Sequence, residues 1–382
     1  MRFALDEEQT EFAAVVRRFF ADRAPLSEVR RAMVTADGFD RTLWRQMAEQ
    51  LGLPGLAVPE EHGGSGLGPV ELGIALRESG RALSPTPLFA SAALATAVLL
   101  CAGDERAAKR WLPGLASGEV IGTVAVAADA AQWTLSAEDV SARAVDGGWR
   151  LRGRRRFVLH GHVADLVLVS TAAPEGGTSL FAVAGDADGL SRTVEPTLDP
   201  TRTQAVLTFD DVAAEPVGAP GSARAGLERA MDLGAVALAQ EQVGGAERCL
   251  DMAVAYAQER HQFGRPIGSF QAVKHLLADV FVEIEAARAA ADHAALVAAT
   301  APDELPLVAS LARAACTEAF CLAAGQNIQV HGGIGFTWEH DAHLYFKRAT
   351  TTAHYLGSPA AHRERVAGIV LDDGIAPSTG TG

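Results

Sequence analysis

The segment Tyr256-Ala-Gln-Glu-Arg-His-Gln-Phe-Gly-Arg-Pro-Ile-Gly-Ser-Phe-Gln271 lies between two long stretches poor in breakers, and its reading decides the fold. Upstream, Ala223–Arg260 is interrupted only by Gly234 and the Gly244-Gly245 pair, so one long helix is predicted. That helix should end at Glu259-Arg260, break at Gly264 and Pro266, and restart near Ser269 as N-cap. Phe270–Ala299, Glu304–Gly325 and Ala360–Leu371 continue the helical pattern. Long, alanine-rich helices with short connections indicate an antiparallel bundle. Arg260, at a helix break, can pair with a phosphate, and Phe263 can pack on a flat ring. An arginine that only satisfies the helix dipole reads the same way. A second motif, Gln329-Val-His-Gly-Gly-Ile-Gly-Phe336, offers open amides and close backbone approach to an anion. It follows a helix rather than a strand, so it is not a dinucleotide-binding fingerprint.

Working outward, the first ~120 residues also read as helix. Asp6 can cap a helix from Glu7, and Arg41–Leu51, Val70–Leu83, Thr86–Ala102 and Glu105–Leu115 follow. Between about Ser117 and Pro216 the texture changes to short Val- and Thr-rich segments. Val140–Val145 and Trp149–Gly153 flank Asp146-Gly147-Gly148, a hairpin signal. Arg154–Leu159, Asp165–Ser170, Ser179–Val183 and Ala205–Phe209 read as further strands. The expected organisation is therefore α+β multidomain: an N-terminal helical domain over 1–117, a β-barrel domain over 118–220 and a C-terminal four-helix bundle over 221–382.

Composition narrows the function classes. The 382 residues carry 33 basic and 47 acidic side chains, a formal charge of −14. Such an acid excess disfavours a nucleic-acid partner, because repulsion from phosphates would outweigh any local basic face. The Met1 segment has neither a basic n-region nor an apolar h-region, and Ala90–Gly103 is too short to span a bilayer. A cytoplasmic protein is expected, with Cys101, Cys249, Cys316 and Cys321 as buried free thiols. The lack of a Gly-x-Ser-x-Gly elbow or CxxC pair leaves hydrolase and redox-thiol readings without support.

Five segments, in this order and on this layout, resemble the acyl-CoA dehydrogenase family. They are the two motifs above, the loop Pro59-Glu-Glu-His-Gly-Gly-Ser-Gly-Leu-Gly68, the run Trp149–Gly153 with Phe157 and Ala164-Asp165, and Leu198-Asp-Pro-Thr-Arg202 with Phe209-Asp-Asp-Val212. The resemblance implies FAD bound between the β domain and the bundle, with a neighbouring subunit contributing. Arg260, Gln262 and Phe263 match contacts to the diphosphate and adenine end. Gln329, Gly332 and Gly333 match the adjacent subunit's grip. Phe157 and Leu159 match positions beside the flavin ring, and Ser358 lies in the run that follows the base position. The implied reaction is α,β-dehydrogenation of an acyl-CoA or carrier-bound acyl thioester, with electrons passing to an electron-transfer flavoprotein.

That chemistry needs a carboxylate base in an apolar pocket. The family's usual position for it falls on Leu356, in His354-Tyr-Leu-Gly-Ser-Pro359, and a second subgroup's position falls on Gly234. Neither can take a proton. Glu241, two helical turns beyond Gly234, lies in an apolar run and is the candidate catalytic base; pairing with an arginine is the competing reading. Asp232 and Glu228 are weaker candidates. The stretch Val124–Trp133 also lacks the Thr-Glu-Pro-x-Ala-Gly-Ser-Asp pattern through which relatives touch flavin and thioester. These losses resemble actinobacterial α2β2 members acting on sterol side-chain or other bulky CoA thioesters, where one subunit type is partly degenerate. Two readings follow: a dehydrogenase in its own right, as a homodimer or tetramer, or a subunit completing the FAD site of a heteromer. No metal site is expected, since Glu339-His340-Asp341-Ala-His343 reads as a solvated turn. The basic run Arg152-Gly-Arg-Arg-Arg156 reads as an edge strand, or as a surface steering anionic CoA.

Overall fold

A computed structural model describes residues 5–126, 135, 139–173 and 176–371. The chain begins with helices α1 (Glu7–Arg23), α2 (Leu26–Ala32), α3 (Arg41–Leu51) and α4 (Pro69–Arg81). Asp6 caps α1 by accepting from the Gln9 amide at 2.8 Å. The predicted single helix over 86–102 is instead a π-helical turn, Phe89–Ala95, running into α5 (Thr96–Ala102). Widening the coil lets the Ser91 hydroxyl accept from the Gly122 amide at 3.0 Å, joining this helix to the first strand. Helix α6 (Glu105–Ser117) completes the first helical layer.

Among the described residues seven strands follow: β1 (Gly122–Ala125), β2 (Val140–Val145), β3 (Gly148–Leu159), β4 (Leu166–Ala172), β5 (Thr178–Ala184), β6 (Leu190–Glu195) and β7 (Gln204–Val217). The pairings β4–β2–β3–β7–β5–β4 close on themselves, which makes the sheet a barrel, with β1 parallel to β4 and β6 along β7. Leu151, Val167, Val169, Phe181 and Leu207 fill its interior. The Asp146-Gly-Gly148 turn joins β2 to β3 in the register expected of a tight hairpin. Strand β3 does not keep strict alternation. Its register against β7 shifts between Arg155 and Val158, and Phe157 there has φ 58°. A bulge of this kind re-aims side chains that a regular strand would place on alternate faces.

The C-terminal region is built on α7 (Arg224–Glu259), α8 (Gln271–Thr300), α9 (Leu305–His331), α10 (Ala342–Thr352) and α11 (Pro359–Leu371). Helix α7 is buried on all sides from Gly234 to Ala246. It passes so close to α4 that a Cβ on Gly80 or Gly244 would collide with the facing backbone. Ser269 does not cap α8. A 3-10 turn over Ile267–Ser269 intervenes, the Ser269 hydroxyl donates to the Pro266 carbonyl at 2.7 Å, and Phe270 holds the cap position. The helical stretch Pro302–Phe336 is long and apolar enough to cross a membrane, but 67% of its apolar window is buried inside the protein, as in a bundle core. All four cysteines are free; Cys249 and Cys316 are buried, whereas Cys101 and Cys321 are only half-buried. Burial raises every thiol above its ordinary value, Cys316 to about 12, which disfavours the reactive thiolate.

Candidate functional site

The three regions meet around the middle of α7. Glu241 is 3% exposed there, and Arg202, from the loop entering β7, donates to both its oxygens at 2.6 and 2.5 Å. Arg348 of α10 donates to Glu241 Oε1 at 3.1 Å, to Asp199 Oδ2 at 2.6 Å, and to the Thr201 carbonyl and hydroxyl at 2.9 and 2.6 Å. Asp199 also accepts from the Thr201 amide at 2.9 Å. Burial works against the Arg348 charge, but Asp199 and Glu241 outweigh it and raise its pKa. Arg202 lies over Phe89 at 5.2 Å and Tyr355 at 6.0 Å, and Gln204 donates to the Tyr355 hydroxyl. Two acids and two guanidinium groups thus balance inside the protein.

This geometry argues against the expected role of Glu241 as base. A carboxylate engaged by two guanidinium groups has its lone pairs occupied, whereas α-proton abstraction needs one free to receive a proton. The weaker candidates are engaged too. Asp232 accepts a bidentate pair from Arg365, one contact at 2.9 Å, and Glu228 accepts from Arg224 at 2.8 Å.

The two family base positions converge in space. A Cβ on Gly234 would overlap the Leu94 side chain and lie 3.2 Å from Leu356 Cδ1. Leu94 comes from the π-helical turn, and Leu356 is buried with φ 56°. Leucines therefore fill the space a carboxylate would need. Behind them, Arg313 of α9 fixes the turn by donating to the Thr352 and Tyr355 carbonyls at 2.5 and 2.7 Å and to Gln242 Oε1 at 2.9 Å. Burial lowers the Arg313 pKa to about 10, with Cys316, Cys321 and Glu241 offsetting only part of it. His362 Nε2 bonds the Leu356 carbonyl at 2.8 Å; burial, followed by Arg313, lowers its pKa to about 4, so the ring is neutral and donates.

A second group of residues faces outward. Arg260, Gln262 and Phe263 surround a two-residue hairpin, His261–Gln262 with Arg265–Pro266, at the end of α7. Phe263 is 91% exposed with φ 53°, so a large apolar ring is held in solvent by a costly backbone conformation. Gln329, Gly332 and Gly333 are exposed at the end of α9. A Cβ on Gly333 would meet no atom of this chain, so packing within the subunit does not demand glycine there. Both groups fit a diphosphate and flat ring contributed from outside, with Arg260 as cation, Phe263 as stacking surface and the glycine amides as donors. Of the flavin-ring positions, Phe157 is half-exposed, whereas Leu159 is 2% exposed and packed in the core. The bulge in β3 separates their environments, and a ring contact through the Leu159 side chain is not what this packing offers. The Ser358 hydroxyl accepts from the Ala361 amide at 3.2 Å at the start of α11.

Comparison with known proteins joins these features. The family model "Acyl-CoA dehydrogenase, N-terminal domain" matches residues 6–119, and "Acyl-CoA dehydrogenase, C-terminal domain" matches 225–371. The acyl-CoA dehydrogenase IpdE2 of Mycobacterium tuberculosis is 38% identical over 354 residues, covering 92% of this chain and 94% of that protein. The chain belongs to the acyl-CoA dehydrogenase family. Human mitochondrial short-chain specific acyl-CoA dehydrogenase is 29% identical, covering 84% of this chain and 80% of that one. Among solved structures, a variant of the Tcur3481-Tcur3483 steroid ACAD matches with TM-score 0.85 and 32% identity over 96% of this chain and 98% of that chain. A chain of the Mycobacterium tuberculosis ChsE4-ChsE5 complex matches with TM-score 0.86 and 29% identity over 97% and 98%. Homologues in this acyl-CoA dehydrogenase family are FAD-dependent flavin oxidoreductases.

Other sequence candidates are accounted for locally. Arg152 and Arg156 pair with Asp210 and Glu195, while the Arg155 side chain is buried against Asp139 and the Ser170 carbonyl. Asp341 pairs with Arg30 at 2.6 Å, and His340 Nδ1 accepts from the Ala342 amide at 3.1 Å. Within Val124–Trp133, residues 127–133 lie outside the described residues. Sequence reasoning missed Asp199, Arg202, Arg313 and Arg348 as a connected set. Each arginine falls in a segment otherwise apolar or turn-like, and that cost of burial was the available signal.

Proposed function

We propose that this chain completes the FAD site of a heteromeric acyl-CoA dehydrogenase, with the catalytic base supplied by a homologous partner subunit. The observation that carries the reading is the leucine-filled junction of Leu94, Gly234 and Leu356, with Glu241 held by two arginines. When bound, FAD supplies the hydride acceptor for α,β-dehydrogenation of an acyl thioester. This chain's part is binding and orientation. Arg260 neutralises diphosphate charge, Gln262 and Phe263 hold the adenine end, and Gln329 with the Gly332-Gly333 amides grips the cofactor across a subunit boundary. Phe157 shields the ring side. Relatives named as a steroid ACAD and as the ChsE4-ChsE5 complex support a bulky acyl-CoA substrate and a heteromeric assembly. Electron-transfer flavoprotein is the expected acceptor, in the cytoplasm. Autonomous dehydrogenation would require Glu241 to leave both guanidinium partners. The test is to purify the chain alone and co-expressed with its homologous neighbour, then record flavin content and anaerobic bleaching by acyl-CoA. A colourless or non-bleaching chain that gives a bleaching complex supports the proposal. A lone chain that holds FAD and bleaches would sink it.

A further inference from the structure

A cavity of about 180 Å³ opens between α4, α5, α7 and α8, away from the leucine-filled junction. Its wall is nearly all hydrocarbon, including Leu72, Ala93, Ala97, Leu233 and Ala237. Leu233 lies next to Gly234 in sequence and so about 100° round the helix from it. The cavity and the junction are neighbours along α7 but are lined by different residues. On the 89–102 helix likewise, Leu94 packs at the junction while its neighbours Ala93 and Ala97 line the cavity.

One charged group reaches this cavity. Arg229 of α7 lines it and is exposed, and among the described residues no carboxylate forms an ion pair with it; its neighbour Glu228 pairs with Arg224. The Cys101 thiol lies close enough for Arg229 to act on it. The Thr96 hydroxyl, also in the wall, is already donated to the Ser91 carbonyl at 3.2 Å. In a chain of net charge −14, an arginine without a carboxylate beside an apolar cavity is complementary to an anion with a hydrocarbon body. An apolar protein cavity of roughly 150 Å³ takes benzene, so this one fits a single ring or a compact branched group.

We infer that this cavity binds a small amphiphilic carboxylate, with a ring-sized hydrocarbon body inside and its anion on Arg229. The inference does not depend on whether the chain is catalytic, because the site shares no residue with the cofactor-facing groups or the junction. The probe is cyclohexanecarboxylate, with cyclohexylmethanol as its neutral counterpart, titrated by calorimetry and ligand-observed NMR into the full chain or its complex with the homologous subunit. Saturable binding of the acid is expected, about ten-fold tighter than the alcohol, because only the anion gains a charge-assisted hydrogen bond from the guanidinium. Arg229→Gln, at an exposed position that leaves the fold intact, should abolish that preference while keeping alcohol binding. Ala97→Leu, which fills the cavity, should weaken both ligands at least ten-fold. Absence of saturable binding up to millimolar acid, equal affinity for acid and alcohol in the unaltered protein, or undiminished binding to Ala97→Leu would each overturn the inference.

Discussion

Replacing Glu241 by Gln separates a base from a structural charge. The substitution is nearly isosteric, so packing is kept and only the charge goes. Arg348 retains Asp199 at 2.6 Å, but Arg202 loses the one carboxylate that it contacts among the described residues. Removing one partner of a buried ion pair typically costs 3–5 kcal/mol, because the other charge is left desolvated. The amide oxygen can still accept from one guanidinium, so the lower end, about 3 kcal/mol, is expected here. At roughly 2 °C per kcal/mol for a chain of this size, thermal unfolding should move down by about 5 °C or more. Restoring charge balance tests the mechanism: Glu241→Gln combined with Arg202→Met should recover most of the loss, since apolar replacements of whole buried pairs are often neutral or stabilising. Differential scanning calorimetry reads the melting temperatures, and flavin bleaching in the assembled enzyme reads activity. If Glu241→Gln melts within 1 °C of the unaltered protein yet abolishes bleaching, Glu241 is a base and the structural argument fails.

Three further outcomes follow from the same geometry. Gly234→Ala should destabilise by about 1–3 kcal/mol through overpacking against Leu94, and Leu94→Ala in the same chain should relieve that clash; denaturant midpoints for the single and double variants check it. Phe263→Ala should leave the subunit's own stability within about 0.5 kcal/mol, because the ring is 91% exposed, while lowering flavin retention on dialysis; unchanged retention counts against its cofactor-facing role. Burial lowers His343 and His362 to about 4, so the unfolded chain binds more protons between about pH 4 and 6.5. Their contribution is complete above that pH and is lost as pH falls towards 4; urea midpoints of His362→Gln should show a shallower decline across this window than the unaltered protein.

Much of this was legible in the sequence because it depends on local pattern. Helical periodicity, the Asp146-Gly-Gly148 turn and the breakers around Gly264 are short-range signals, and the fold followed them. The absence of a base at Leu356 and Gly234 was equally plain, since it concerns residue identity at two matched positions. The network around Glu241 was not. Its partners are 39 and 107 residues away, and nothing local says which arginine will reach it. The π-helical turn at Phe89–Ala95 was hidden for a different reason: every residue in it is buried, so no polar face marks its period. The burial of Leu159 was hidden because a bulge beside Phe157 changes which side chains point together, and bulges leave little trace in composition.

The exposed segment that follows α9, beginning at Gly332-Gly333, has a consequence for how the protein must be made. Phe336 is 75% exposed and Trp338 59%, close in sequence to the Gly332-Gly333 pair. Exposed apolar surface of this kind attracts chaperones, proteases and other copies until it is covered. A surplus of this chain over whatever covers that surface would be short-lived or insoluble. In the heteromer proposed above, matched synthesis of the two subunits would therefore act as quality control, tying the amount of usable protein to the scarcer one.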